Sequence, residues 1–183
     1  MSFDILVVCT ANVSRSPMAE AVLADAVARR GLDVTVRSAG LMRVELPVDP
    51  MMASLMAERG IDISGHRPRQ VGPDDVASVD LVVAMTRQHV RSLVTDVRSP
   101  FPRTFTLKEV ERRLGSGSRV AARDLAGLHH GRTAAELLGD STIDDIDDPF
   151  GRARSVYAAC AAEIDRAVDS LVAWLDDSET LRT

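Results

Sequence analysis

The chain has 183 residues, 45% of them hydrophobic, enough for one core without disulfides or metal clamps. A net charge of -5 and an aromatic content of 3% argue against nucleic-acid or anionic-membrane binding. The cysteines, Cys9 and Cys160, cannot build a disulfide framework, no apolar run approaches the ~20 residues that cross a bilayer, and no basic segment precedes the N-terminal apolar run; a reduced, cytoplasmic setting is expected. Among 22 basic residues only Lys108 is a lysine, a bias that points to no ligand.

Phe3 to Val8 is apolar except for Asp4, as in a strand buried on both faces. Ala19, Val22, Leu23, Ala26 and Val27 then repeat at helical spacing, with Gly31 placed to cap the C-terminus. A second strand begins at Val34-Thr35-Val36 and ends at Ser38-Ala39-Gly40. Pro50 to Arg59 is predicted helical, with Gly60 as its stop. Val79 to Met85 forms the third strand, Gln88 to Val97 a helix, and Arg103 to Leu107 a short fourth strand. Residues 108–141 carry breaks at 115–118 and 127–131, and are expected to be short helices in an insertion within one domain. Val156, Cys160, Ile164, Val168, Leu171 and Leu175 form the stripe of a long last helix. The alternation implies an α/β fold on a parallel sheet, with the ligand beyond the carboxyl ends of the strands.

The turn after the first strand reads Cys9-Thr10-Ala11-Asn12-Val13-Ser14-Arg15-Ser16-Pro17, of the form C-x5-R-S between a buried strand and a helix start. A cysteine there faces backbone N–H groups and the positive end of a helix dipole, which favour a thiolate. The arch from Thr10 to Arg15 can aim its N–H groups at one tetrahedral anion, and Arg15 can fork onto two of the anion's oxygens. Pro17 is predicted at the first helical position, making Ser16 the cap with its hydroxyl near the sulfur. A bare C-x5-R match is common by chance; strand, loop, proline and helix together are far more specific. The lysine and glycines of a nucleotide P-loop are absent.

The segment Val7 to Glu20 resembles the signature of low-molecular-weight protein-tyrosine phosphatases. The likeness continues through Ser38-Ala39-Gly40, through Gly60 to Gln70, and through Asp80 to Met85. It ends with Asp148-Pro149-Phe150 and with Val156-Tyr157 plus Cys160. The resemblance implies a four-stranded parallel sheet in the order 2-1-3-4 and a metal-independent, cofactor-free reaction through a phosphocysteine. By the same matches Cys9 is the nucleophile, Arg15 the phosphate clamp, and Asp148 the general acid. Thr10 to Arg15 bind the phosphate, while Asn12, Ser16, Ser38 and His66 hold the loop in shape.

Several positions depart from the family pattern. Ser14 replaces a cysteine that often precedes the arginine, so a protective disulfide is lost. An aromatic wall after Ser38-Ala39-Gly40 is missing, leaving aliphatic candidates, Leu41 and Met42 first among them. Phe150 and Gly151 stand where two tyrosines are common, and Phe150 remains able to stack on a ring. Thr86 occupies a frequent aspartate position.

Three alternatives stand beside the phosphotyrosine reading. Relatives that hydrolyse phosphoarginine place a threonine where this chain has Val13. Arsenate reduction needs further cysteines, and only Cys160 exists. A phosphate-dependent binding module would be favoured by loss of Cys9, Arg15 or Asp148, and none is lost. The resemblance implies a phosphotyrosine-bearing protein as partner; in bacteria, relatives often act opposite tyrosine kinases of polysaccharide export, and the residues do not say whether this chain does. The acidic run Asp144, Asp145, Asp147 is expected to be a solvated loop, not a metal site. His129 and His130 are expected to be exposed, and Cys160 to serve packing.

Overall fold

The computed structural model describes residues 2–115 and 120–176. Its centre is β1 (Phe3–Cys9), flanked by β2 (Val34–Gly40) on one side and β3 (Leu81–Ala84) on the other, with β4 (Thr104–Thr106) beyond β3. All pairings are parallel, in the order β2-β1-β3-β4. Alternate strand residues point to opposite faces. Phe3, Ile5 and Val7 meet Leu81, Val83 and Phe105 under α1 (Arg15–Arg29) and α7 (Arg154–Leu175). Leu6 and Val8 meet Val82 and Ala84 under α4 (Arg87–Thr95). Burial on both faces is why β1 is a continuous apolar run, and each such side chain contributes roughly 2 kcal/mol of hydrophobic transfer.

α1 ends as its sequence suggests: Gly31 takes φ +65, and Leu32 N–H returns to Val27 O at 3.0 Å. The stripe of α7 is buried from Cys160 onward while Val156 is half-buried, and burial pushes the Cys160 thiol up to about 12. α2 spans Pro50–Ala57 and is capped by Asp49, whose carboxylate accepts from Met51 N–H at 2.9 Å. The five-residue helix α3 (Pro73–Ala77) was not legible, because it is too short for a periodic pattern.

Residues 107–141 hold α5 (Leu107–Gly115), α6 (Leu125–His129) and a 3-10 turn at Ala134–Leu137. The break expected at 115–118 lies outside the described residues except for Gly115, which closes α5. A buried ion pair fixes this stretch. Arg132 Nε lies 2.7 Å from Glu109, and its guanidinium stands 4.0 Å from the Phe101 ring centre and 4.2 Å from that of Phe105. His130 is exposed, but His129 is half-buried, edge-on to Phe101 at 5.4 Å.

Candidate active site

The C-x5-R-S loop leaves the carboxyl end of β1 at the centre of the sheet. Its path needs Gly40 at the end of β2: a Cβ there would come within 2.8 Å of Ala11 C and 2.9 Å of both Asn12 N and Thr10 O. The same strand end ties the loop down, since Leu41 N–H donates to Cys9 O at 3.0 Å and Met42 N–H to Thr10 O at 2.8 Å.

Cys9 is buried, with Ser16 Oγ 3.0 Å from its sulfur and Asn12 N–H donating to it at 3.3 Å. The cap assignment differs from expectation: Ser14 is the N-cap, Arg15 opens α1, and Pro17 lies two residues further in. Ser16 is drawn into the site because its hydroxyl is taken up by the sulfur and by Asn12.

Asn12 organises the loop from a left-handed conformation, φ +58, that few side chains tolerate. Its Nδ2 donates to Ser16 Oγ at 2.9 Å and to Ser38 Oγ at 2.8 Å, while its Oδ1 accepts from Arg69 N–H at 3.1 Å. His66 Nε2 lies 3.0 Å from Asn12 O and 3.2 Å from Asn12 Oδ1. Both are acceptors, so that nitrogen carries the hydrogen. Ser38 in turn donates to Glu20, a member of the network that sequence reasoning did not single out. Its signal was its place one turn into α1, on the loop side.

Arg15 is buried, and two of its nitrogens are committed to one segment: Nη1 donates to Ile146 O at 2.9 Å and Nη2 to Asp148 Oδ2 at 2.6 Å. Ile146 is itself fixed by its N–H on Met85 O at 2.8 Å. The acidic run is therefore not uniformly solvated. Asp144 is buried and takes a two-pronged ion pair from Arg112, both contacts 2.9 Å. Asp145 accepts from Arg87 N–H at 2.7 Å, while Asp147 is exposed.

Cys9, Thr10, Ala11, Val13, Ser14 and Arg15 line a pocket of about 210 Å³ together with Leu46, Asp148 and Phe150. Leu41 and Met42 stand elsewhere, in an adjoining recess with Thr10, Gln88, His89 and Ser92. The apolar side chain that joins Phe150 in lining the pocket is thus Leu46, further along the same loop. Thr86, whose effect the sequence left open, caps α4 by accepting from His89 N–H at 3.1 Å. Tyr157 joins the two sides of the site: its hydroxyl donates to Asp49 at 2.6 Å and accepts from Gly151 N–H at 3.1 Å, while Asp49 N–H donates to Val13 O at 2.7 Å. Among the described residues no three His, Cys, Asp or Glu side chains gather to hold a metal, and no helix is long and apolar enough to cross a membrane.

Comparison with known proteins agrees with this geometry. Residues 4–117 match the family model described as low molecular weight phosphotyrosine protein phosphatase. The chain is 33% identical over 154 residues to the low molecular weight protein-tyrosine-phosphatase YfkJ of Bacillus subtilis, covering 80% of each chain. It is 31% identical over 173 residues to a protein-arginine-phosphatase of the same organism, covering 94% of this chain and 96% of the other. The crystal structure of a low molecular weight protein tyrosine phosphatase from T. tengcongensis superposes with a TM-score of 0.73 at 31% identity, over 94% of this chain and 99% of that one. With a family model matched over most of the chain and relatives above 30% identity aligned along nearly its whole length, the chain belongs to the low molecular weight phosphotyrosine protein phosphatase family.

Proposed function

We propose that the chain hydrolyses phosphotyrosine in proteins, with Cys9 as nucleophile, Arg15 as phosphoryl clamp and Asp148 as the acid and base. The observation that carries this reading is the convergence of Cys9 Sγ, the Arg15 guanidinium and the Asp148 carboxylate on one small pocket with an apolar mouth. In the first step the thiolate attacks phosphorus, the S–P bond forms, and the P–O bond to the phenol breaks. Asp148 gives its proton to the departing oxygen. In the second, the Asp148 carboxylate takes a proton from water, whose oxygen attacks phosphorus. The S–P bond breaks, releasing inorganic phosphate and restoring the thiolate. Arg15 neutralises the charge that builds on the phosphoryl oxygens, and the loop amides add fixed donors. When the phosphoryl group enters, it competes with Asp148 for the Arg15 fork, which frees the carboxyl to reach the leaving oxygen. Asn12, Ser16, Ser38 and His66 hold the loop for this purpose.

Hydrolysis of phosphoarginine is the second reading, because a protein-arginine-phosphatase aligns over nearly the whole chain. The pocket mouth favours an aryl group instead. Val13 is buried and presents methyl groups, Leu46 and Phe150 make apolar walls, and a guanidinium gains no hydroxyl partner from Val13. Specificity constants for one peptide bearing phosphotyrosine or phosphoarginine, with one purified sample, decide between them. We expect the phosphotyrosine peptide to be preferred; a higher constant for the phosphoarginine peptide reverses the assignment.

A further inference from the structure

His89 is a tightly enclosed titratable group beside the pocket that the reaction just described does not use. It is 6% exposed, and its Nε2 lies 2.9 Å from Thr10 Oγ1, the side chain immediately after the nucleophile. Its other ring nitrogen, Nδ1, is buried without a hydrogen-bonding partner in the protein. Thr10 faces both ways, lining the Cys9 pocket and the recess of about 270 Å³ in which His89 stands. The backbone there is fixed, since Thr10 O accepts from Met42 N–H at 2.8 Å. Taking the Cys9 pocket as the phosphoryl site, we propose that Thr10 adds a side-chain O–H donor to that site. His89 is the positioning residue that turns it there.

The argument turns on where one hydrogen sits. The imidazole is neutral: burial, then the nearby charge of Arg15, push it down to about 3, and its place in the first turn of α4 opposes protonation too. A neutral ring carries a single N–H. On Nδ1 that group would be a buried donor with no acceptor, the rarer and costlier defect in folded proteins. On Nε2 it donates to Thr10 Oγ1 and leaves only a bare lone pair at Nδ1. The second tautomer is therefore favoured. A hydroxyl has one hydrogen and two lone pairs. With a lone pair satisfied by His89, the Thr10 hydrogen remains for a phosphoryl oxygen. In the opposite tautomer Thr10 would spend that hydrogen on His89 and turn lone pairs towards a dianion. His89 thus decides whether this edge of the pocket attracts or repels the ligand.

The test combines vanadate affinity with a direct reading of the ring. Nitrogen and carbon shifts of His89 in the unmodified protein should report a neutral ring protonated on Nε2 across pH 5–8 (roughly, the range in which an ordinary histidine titrates). Thr10→Val and His89→Phe should each weaken vanadate binding about 3- to 10-fold, the worth of one hydrogen bond. The double variant should be no weaker than either single one, because both remove the same contact. His89→Gln, whose amide can place an N–H where Nε2 stands, should remain near the unmodified protein. Thr10→Val and the ring measurement carry the test if His89→Phe does not fold. A ring protonated on Nδ1, or unchanged vanadate affinity in Thr10→Val, overturns the inference and leaves the phosphoryl site standing. Failure of the unmodified protein to bind vanadate overturns the site assignment and the inference with it.

Discussion

Along the proposed phosphate loop Cys9, Asn12, Val13, Ser14 and Arg15 are buried, whereas Asp147, Asp148, Phe150, Gly151 and Arg152 of the proposed acid segment are exposed. Asn12 alone makes contacts to Ser16, Ser38, His66 and Arg69, drawing on three separate parts of the chain. The acid segment is held at a few points: Ile146 on Met85 and Arg15, Pro149 in the interior, and Gly151 on Tyr157. The contrast matches the two tasks proposed for them. Binding a dianion rewards donors fixed beforehand, since no reorganisation is then needed at the moment of reaction. Proton transfer asks a carboxyl to leave Arg15, meet one oxygen and then a water, which a loosely anchored segment permits.

If the division is right, damage to the acid segment should cost rate and spare the fold. Asp148→Asn should lower kcat about 10²–10⁴-fold on a phenyl phosphate whose leaving group is strongly basic. The loss should shrink on a nitrophenyl phosphate. Asp147→Asn, on an exposed side chain outside the pocket, should be mild on both. Leaving-group dependence in Asp147→Asn, without it in Asp148→Asn, would move the acid by one residue.

A pair of glycines sharpens the comparison. Gly40→Ala pushes a methyl group into the backbone of Ala11, Asn12 and Thr10, and should cost about 2–3 kcal/mol of stability together with most of the vanadate affinity. Gly151→Ala meets nothing within 4 Å and suffers only its left-handed backbone, φ +72, at about 1 kcal/mol. Thermal melting and vanadate titration of the two variants give the ranking; equal losses would deny that the loop is the more constrained region.

The last effect expected is on pH. The His89 ring stays neutral in the folded protein to about 3, whereas in the unfolded chain it gains a proton below about 6.5. The unfolded state then binds more protons, so stability falls as pH drops from about 6.5 towards 3, by up to about 1.4 kcal/mol per pH unit from this group. Denaturant melts between pH 7 and 5 should show a shallower slope in His89→Gln than in the unmodified protein.

Much of the loop was legible because its chemistry is local. Cys9, Arg15 and the helix start are contiguous, and the apolar runs of β1 and α7 announce burial on their own. What was missed depends on distant partners. Asp144 reads as one more charge in an acidic run, yet Arg112 buries it. Ser16 reads as a cap before Pro17, yet the sulfur and Asn12 claim its hydroxyl. Leu46 replaces Leu41 and Met42 at the pocket because the loop after β2 turns away first, held by Cys9 O and Thr10 O. His89 carries no sequence signal, since its partner Thr10 is 79 residues away. Local pattern finds the candidate nucleophile; only the packed sheet finds what surrounds it.

The central claim, that catalysis passes through a phosphoryl group on Cys9, is tested most directly by rapid acid quench of the reaction with an aryl phosphate, followed by peptide mass analysis. The account predicts a burst of phenol and one phosphoryl group on the peptide carrying Cys9, with both lost in Cys9→Ser while vanadate binding persists. A phosphoryl group on another residue, or turnover that survives in Cys9→Ser, would contradict it.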